Sequence, residues 1–121
     1  MARVVALIPD LLFGSQVQGA LAAAGHEVEL VADADRTRER LTGKPAVLVV
    51  DLVDEDLNGA ALVETLAADG LLGETRTLGF YSHVDARARE RAEQAGFDLV
   101  VPRSRMAREG AMLVTRLSAN P

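Results

Sequence analysis

The 121-residue chain has no cysteine and no tryptophan, and its aromatic residues are one tyrosine and three phenylalanines. Without cysteine there is no disulfide framework and no thiolate metal site. Two histidines far apart in sequence, His26 and His83, do not make a zinc site. With so few rings, the core has to be built from Leu, Val, Ala and Ile. No apolar run approaches the ~18 residues of a membrane span, and the first strand pattern starts so close to Met1 that no secretory leader fits before it. A cytoplasmic protein with no membrane partner is expected.

What the chain does have is the composition of a globular domain, 49% hydrophobic and 26% charged. Its length is that of one domain, residues 1–121, able to bury well over half of its unfolded surface. The net charge of -5 is unevenly spread: residues 1–75 carry 13 acids and 5 bases, residues 76–121 carry 5 acids and 8 arginines. An acidic body with a mildly basic last third suits protein contacts better than nucleic acid, which asks for a concentrated basic patch.

Short apolar runs alternate with helical patterns. Val4 to Ile8 is a β-branched run expected to be a strand buried on both faces. Leu12 to Ala24 carries Val17, Leu21 and Ala24 on one helical face and is closed by Gly25. His26 to Ala32 alternates polar and apolar, as a strand near a sheet edge does. A helix capped by Asp33 or Asp35 then runs to the stop at Thr42-Gly43-Lys44-Pro45. Ala46 to Val50, the most apolar run, is predicted to be the central strand. Asn58-Gly59 opens a helix over Ala60 to Ala68, closed by Asp69-Gly70. Arg76 to Tyr81 and Asp98 to Val101 are the fourth and fifth strands. Asp85 caps the helix between them, which ends at Gly96, and Ser104 caps a last helix reaching about Leu117. Ser118 to Pro121 makes a plausible domain end. Strands joined by helices run parallel, and right-handed crossovers over both faces give an α/β three-layer α/β/α sandwich.

In such a sheet, ligand chemistry sits beyond the carboxyl ends of the strands. Asp10, Asp51, Ser82 and Arg103 follow the first, third, fourth and fifth strands and are expected to meet there. Two carboxylates at strand ends suit Mg²⁺, and a hydroxyl with a cation beside them suits the oxygens of a phosphoryl group. Pro9 to Gly14 offers one glycine, so no phosphate-cradling glycine loop follows the first strand. A serine nucleophile elbow is also absent. No enzymatic activity is expected.

Asp51-Leu52-Val53-Asp54-Glu55-Asp56-Leu57-Asn58-Gly59, together with Ser82 and Ala95-Gly96-Phe97-Asp98, resembles the receiver domain of bacterial response regulators (the CheY-like superfamily). There a pattern like D-L-x-x-P-x-x-D/N-G follows the third strand. The resemblance covers nearly the whole chain and implies a flavodoxin-like (βα)5 fold with parallel sheet order 2-1-3-4-5. It implies Asp51 as phosphoacceptor, Mg²⁺ held by Asp10, Asp51 and the Val53 carbonyl, and phosphoryl oxygens bound by Ser82 and Arg103. The partners it implies are a histidine kinase, a phosphotransfer or an output protein, with a homodimer through the fourth helix, fifth strand and fifth helix.

The chain departs from that pattern at the site itself. Pro9 stands where receivers carry a second acid, Glu55 where they carry proline, bulky His83 where the residue is commonly small, and Val100 at the aromatic switch position. Counted from Gly96, Arg103 takes the place of the family's lysine and Ser104 that of its proline. Matching Pro102 to that proline would instead put Val101 at the lysine position. Arginine for lysine exchanges a compact ammonium for a planar fork. The departures favour a divergent pseudo-receiver acting through protein interaction, with an atypical or degraded aspartate site at Asp51. A Mg-dependent phospho-accepting regulator and a flavodoxin-like small-molecule binder are the alternatives.

Overall fold

A computed structural model describes residues 1–119; Asn120 and Pro121, at the expected domain end, lie outside the described residues. Five strands and five helices alternate: β1 Arg3–Leu7, α1 Leu11–Ala23, β2 Glu27–Val31, α2 Ala34–Leu41, β3 Val47–Asp51, α3 Gly59–Ala68, β4 Arg76–Tyr81, α4 Ala86–Ala95, β5 Leu99–Pro102 and α5 Arg103–Ala119. The strands pair in parallel, in the order β2-β1-β3-β4-β5. This is the flavodoxin-like sheet that the sequence implied, with the valine run at its centre.

Side-chain alternation explains why β3 is buried throughout. Val47 and Val49 pack on one face of the sheet with Phe13, Val17 and Leu21 of α1 and Met106, Leu113 and Val114 of α5. Leu48 and Val50 pack on the other with Leu41 of α2, Leu62, Val63 and Leu66 of α3, and Ala92 and Ala95 of α4. Each valine or leucine so buried is worth about 1.5–3 kcal/mol against exposure. At the edge, β2 exposes Glu27 and Glu29 while Val28 and Leu30 lean on the α1/α5 face.

Three helices start where an aspartate offers an acceptor. Asp10 caps α1, Asp33 caps α2 by accepting from the Arg36 amide, and Asp85 caps α4 by accepting from the Ala88 amide. Such caps contribute about 1 kcal/mol each. The last helix corrects the sequence reading: α5 begins at Arg103, so Ser104 lies in its first turn and is not its cap. Pro102 explains the shift, since its fixed φ and missing N–H let it end a strand and lead straight into helix.

Helix α4 is held to its neighbour by charge. Arg89 and Glu93 form an i, i+4 pair at 3.7 Å, and the Arg91 guanidinium reaches across to Glu64 of α3, with Nη1 donating to Oε2 at 3.0 Å. No helix among the described residues is long and apolar enough to cross a membrane.

Candidate functional site

Alternation along the strands decides what meets at the carboxyl end of the sheet. Asp51 follows Val47 and Val49 on the α1/α5 face; Ser82 follows Leu78 and Phe80, Arg103 follows Val101, and Asp10 follows Ile8, all members of that face. Phe80 is the register partner of Asp51, so Ser82 lies two residues past it, on the same face.

Asp51 is only 4% exposed. Its Oδ1 accepts the Val53 amide at 2.7 Å and the Asp54 amide at 3.2 Å. No described residue hydrogen-bonds its Oδ2, and no buried side-chain oxygen or nitrogen among them lacks a partner, so Oδ2 is the atom through which Asp51 meets solvent. Burial pushes the carboxyl pKa above its ordinary 3.8; the two amide bonds oppose this, the Asp54 carboxylate adds to it, the Arg103 charge again opposes it, and the balance is upward. The acid that bears on Asp51 is thus Asp54, whose Oδ1 also caps the 3-10 turn Glu55–Leu57. Glu55 itself stands exposed.

The spacing from Asp51 to Gly59 has a steric cause. A β-carbon at Gly59 would stand 2.6 Å from Val50 Cγ1, 3.1 Å from Leu52 Cδ2 and 3.3 Å from the Asp51 carbonyl oxygen. The chain turns back at Asn58, in the left-handed region at φ 48°, and lays the start of α3 directly against the end of β3. Gly79 on β4 opens the other side of the same slot, since a β-carbon there would lie 2.7 Å from Leu52 Cδ1.

Asp10 is half exposed, with a partner at each oxygen. Its Oδ1 accepts the Leu12 and Phe13 amides at 3.0 and 3.1 Å, and its Oδ2 pairs with Arg103 Nη2 at 3.4 Å. The Arg103 guanidinium carbon sits 4.2 Å above the centre of the Phe13 ring, which in turn lies 5.1 Å from the Phe80 ring. Arg103 thus pairs with Asp10, and its charge bears on Asp51 as the smallest of the influences on that carboxyl. Ser82 is half-buried next to it; its carbonyl accepts the Asp85 amide at 2.8 Å, and its hydroxyl bonds to no described residue. His83 stands exposed in the following loop, and Val100 is half-buried on the α3/α4 side. Phe13 was not singled out from the sequence. Its place three residues after the capping Asp10, on the same turn, was the available signal.

No protein-family model matches the sequence, and no curated protein matches it. Solved structures do match. The chain superposes on the Francisella response regulator 1452 receiver domain with a TM-score of 0.85, 14% identity and 98% of each chain covered. The signal receiver domain of the putative response regulator NarL from Mycobacterium tuberculosis gives 0.82 at 22% identity, over 99% of this chain and 98% of that one. A putative response regulator from Chloroflexus aurantiacus gives 0.87 at 18% identity, over 98% of each chain. The chain has the receiver fold.

That fold implies Mg²⁺, and the donors present can be tested against it. A divalent ion wants hard oxygens free to turn toward it. Asp10 Oδ1 accepts two amides, its half-exposed Oδ2 faces the guanidinium of Arg103, and Asp51 offers one free oxygen. Among the described residues no cluster of three or more acidic or histidine side chains is placed to hold a metal. The receiver-type site as built here does not fit Mg²⁺.

Proposed function

We propose that the chain is a receiver-type signalling domain, without enzymatic activity, that works by offering a constant surface to a protein partner. Asp51 is the position of a phosphoacceptor whose surroundings have been rebuilt. The observation that carries this reading is the engagement of Asp10 by Arg103 and the α1 amides, beside an Asp51 that is buried and has one oxygen pinned by two amides. The face of α4, β5 and α5 suits a partner or a second copy: β5 is an edge strand with Leu99, Val100 and Pro102 half-buried, and Met112 of α5 is 37% exposed. Amide NMR spectra recorded with beryllofluoride, a phosphoryl mimic, with and without Mg²⁺, test the reading. The Val53 and Asp54 resonances are expected to stay in place. Saturable shifts there, abolished by Asp51→Asn, would overturn it.

One observation favours a working phosphoacceptor instead, namely the open Oδ2 of Asp51. In that case Oδ2 attacks the phosphorus of a phosphohistidine donor; the P–O bond forms as the P–N bond breaks, and its electron pair leaves with the imidazole nitrogen. Ser82 and Arg103 are the groups at hand for the phosphoryl oxygens. A small-molecule site at the strand carboxyl ends has weaker support. The broad surface groove lies at the opposite pole, lined by Thr42, Lys44, Leu71, Thr75, Arg76 and Asp98.

A further inference from the structure

We propose that Arg103 is a built-in replacement for the divalent cation of the receiver-type site, so that the site takes up Mg²⁺ only when this guanidinium is removed. The inference rests on the reading of Asp51 as a receiver-type position, and concerns what supplies the positive charge there. Three relations carry it. Arg103 Nη2 pairs with Asp10 Oδ2, the guanidinium carbon stacks over Phe13, and the same cation acts electrostatically on Asp51. One positive group thus pairs with the first carboxylate and bears more weakly on the second.

The strength of the ion pair is not what excludes the metal. Both side chains are about half exposed, and a pair of that kind is weak and screened. Geometry and charge do the excluding. Asp10 is the cap of α1 and Phe13 lies on that helix's first turn, so the two present a carboxylate beside an aromatic face. Arg103 is the first residue of α5 and follows β5 with no loop between, which fixes its backbone next to them. A planar guanidinium can lie flat on the ring while pairing edge-on with the carboxylate, which a lysine ammonium cannot. With it in place, the negative charge of Asp10 and Asp51 is cut by one, which leaves the Asp54 carboxylate as the other acid bearing on Asp51. Bringing in a dication also sets two positive groups against each other in a partly desolvated site. Pro9, where a second acid is expected, removes the ligand that might have outweighed this.

The test is an amide NMR titration with MgCl₂, at ionic strength matched with NaCl, of the wild type and of Arg103→Met, which keeps an apolar stem on Phe13. Thermal melts check that the variant is folded, and Arg103→Ala serves if it is not. The wild-type Leu12, Val53 and Asp54 resonances are expected to show no saturable shift. The arginine-free variant is expected to gain one, corresponding to Mg²⁺ binding roughly tenfold tighter or more, and Asp10→Asn in that background should abolish it. Saturation of the wild type in the low millimolar range, or silence of the folded arginine-free variant, overturns the proposal. Beryllofluoride shifts in a wild type that ignores Mg²⁺ would instead defeat the constant-surface reading and leave this inference standing.

Discussion

Gly59 lies so close to Val50 that a β-carbon on it would stand 2.6 Å from the valine Cγ1, closer than such atoms come in folded proteins. Gly59→Ala therefore has to push α3 off the end of β3. Overpacking of this kind costs about 1–3 kcal/mol, to be read from the urea midpoint. Gly19, inside α1 with nothing within 4 Å of its would-be β-carbon, is the control. There alanine should stabilise by about 0.5–1 kcal/mol.

Asp51 gives stability a pH dependence of defined sign. Burial raises its folded pKa above the ordinary 3.8, so the native state holds the proton more tightly than the unfolded chain. Its contribution is fully present below the unfolded value and is lost as pH rises through the folded one. Asp51→Asn keeps an oxygen to accept the Val53 and Asp54 amides while carrying no charge. Its stability relative to wild type should rise between acid and neutral pH, as measured by denaturation at a series of pH values. A flat difference would show that the carboxylate is not strained by its burial.

His26 is 5% exposed and ties three segments together. Its Nδ1 accepts the Ala2 amide at 3.1 Å, and its Nε2 lies 2.9 Å from Thr115 Oγ1, which donates onward to the Ala111 carbonyl. The Nδ1 bond puts the ring proton on Nε2. His26→Ala leaves the Ala2 amide without a partner and should cost about 1–3 kcal/mol. Hydrogen exchange at Ala2 should accelerate. His26→Asn, with an acceptor near the Nδ1 position, should recover part of the loss.

Asp98 holds the start of β4 to the start of β5. Its Oδ2 accepts the Thr77 amide at 2.7 Å, and its own amide donates to Thr77 Oγ1 at 3.0 Å. Asp98→Ala removes a charged acceptor from a buried threonine and should cost about 2 kcal/mol in urea denaturation. Asp98→Asn should cost visibly less.

The elements were legible in the sequence because each announces itself locally. The valine run of β3 needs burial on both faces, the Glu27 to Leu30 alternation marks one exposed face, and Asp10, Asp33 and Asp85 each precede a helix as capping residues do. Asp51 could be placed because the Gly59 constraint acts within eight residues. Contacts between distant segments were not legible. Nothing near Arg91 indicates Glu64 as its partner, nothing near His26 indicates Thr115, and the seat of Arg103 over Phe13 spans most of the chain. The start of α5 lies two residues before the one a Ser104 cap implies, because Pro102 already sets the backbone for helix.

The two outer strands also bear on how this chain can assemble. Along β2, Glu27 and Glu29 put carboxylates where an added strand would lay its side chains. On the other border, β5 is four residues long and ends on Pro102, which has no amide to donate. Both borders are thus poor templates for backbone pairing. The chain is protected against growing into a continuous intermolecular sheet, and any association is left to side chains, those of β5 included, where substitution can retune a partner without disturbing the sheet.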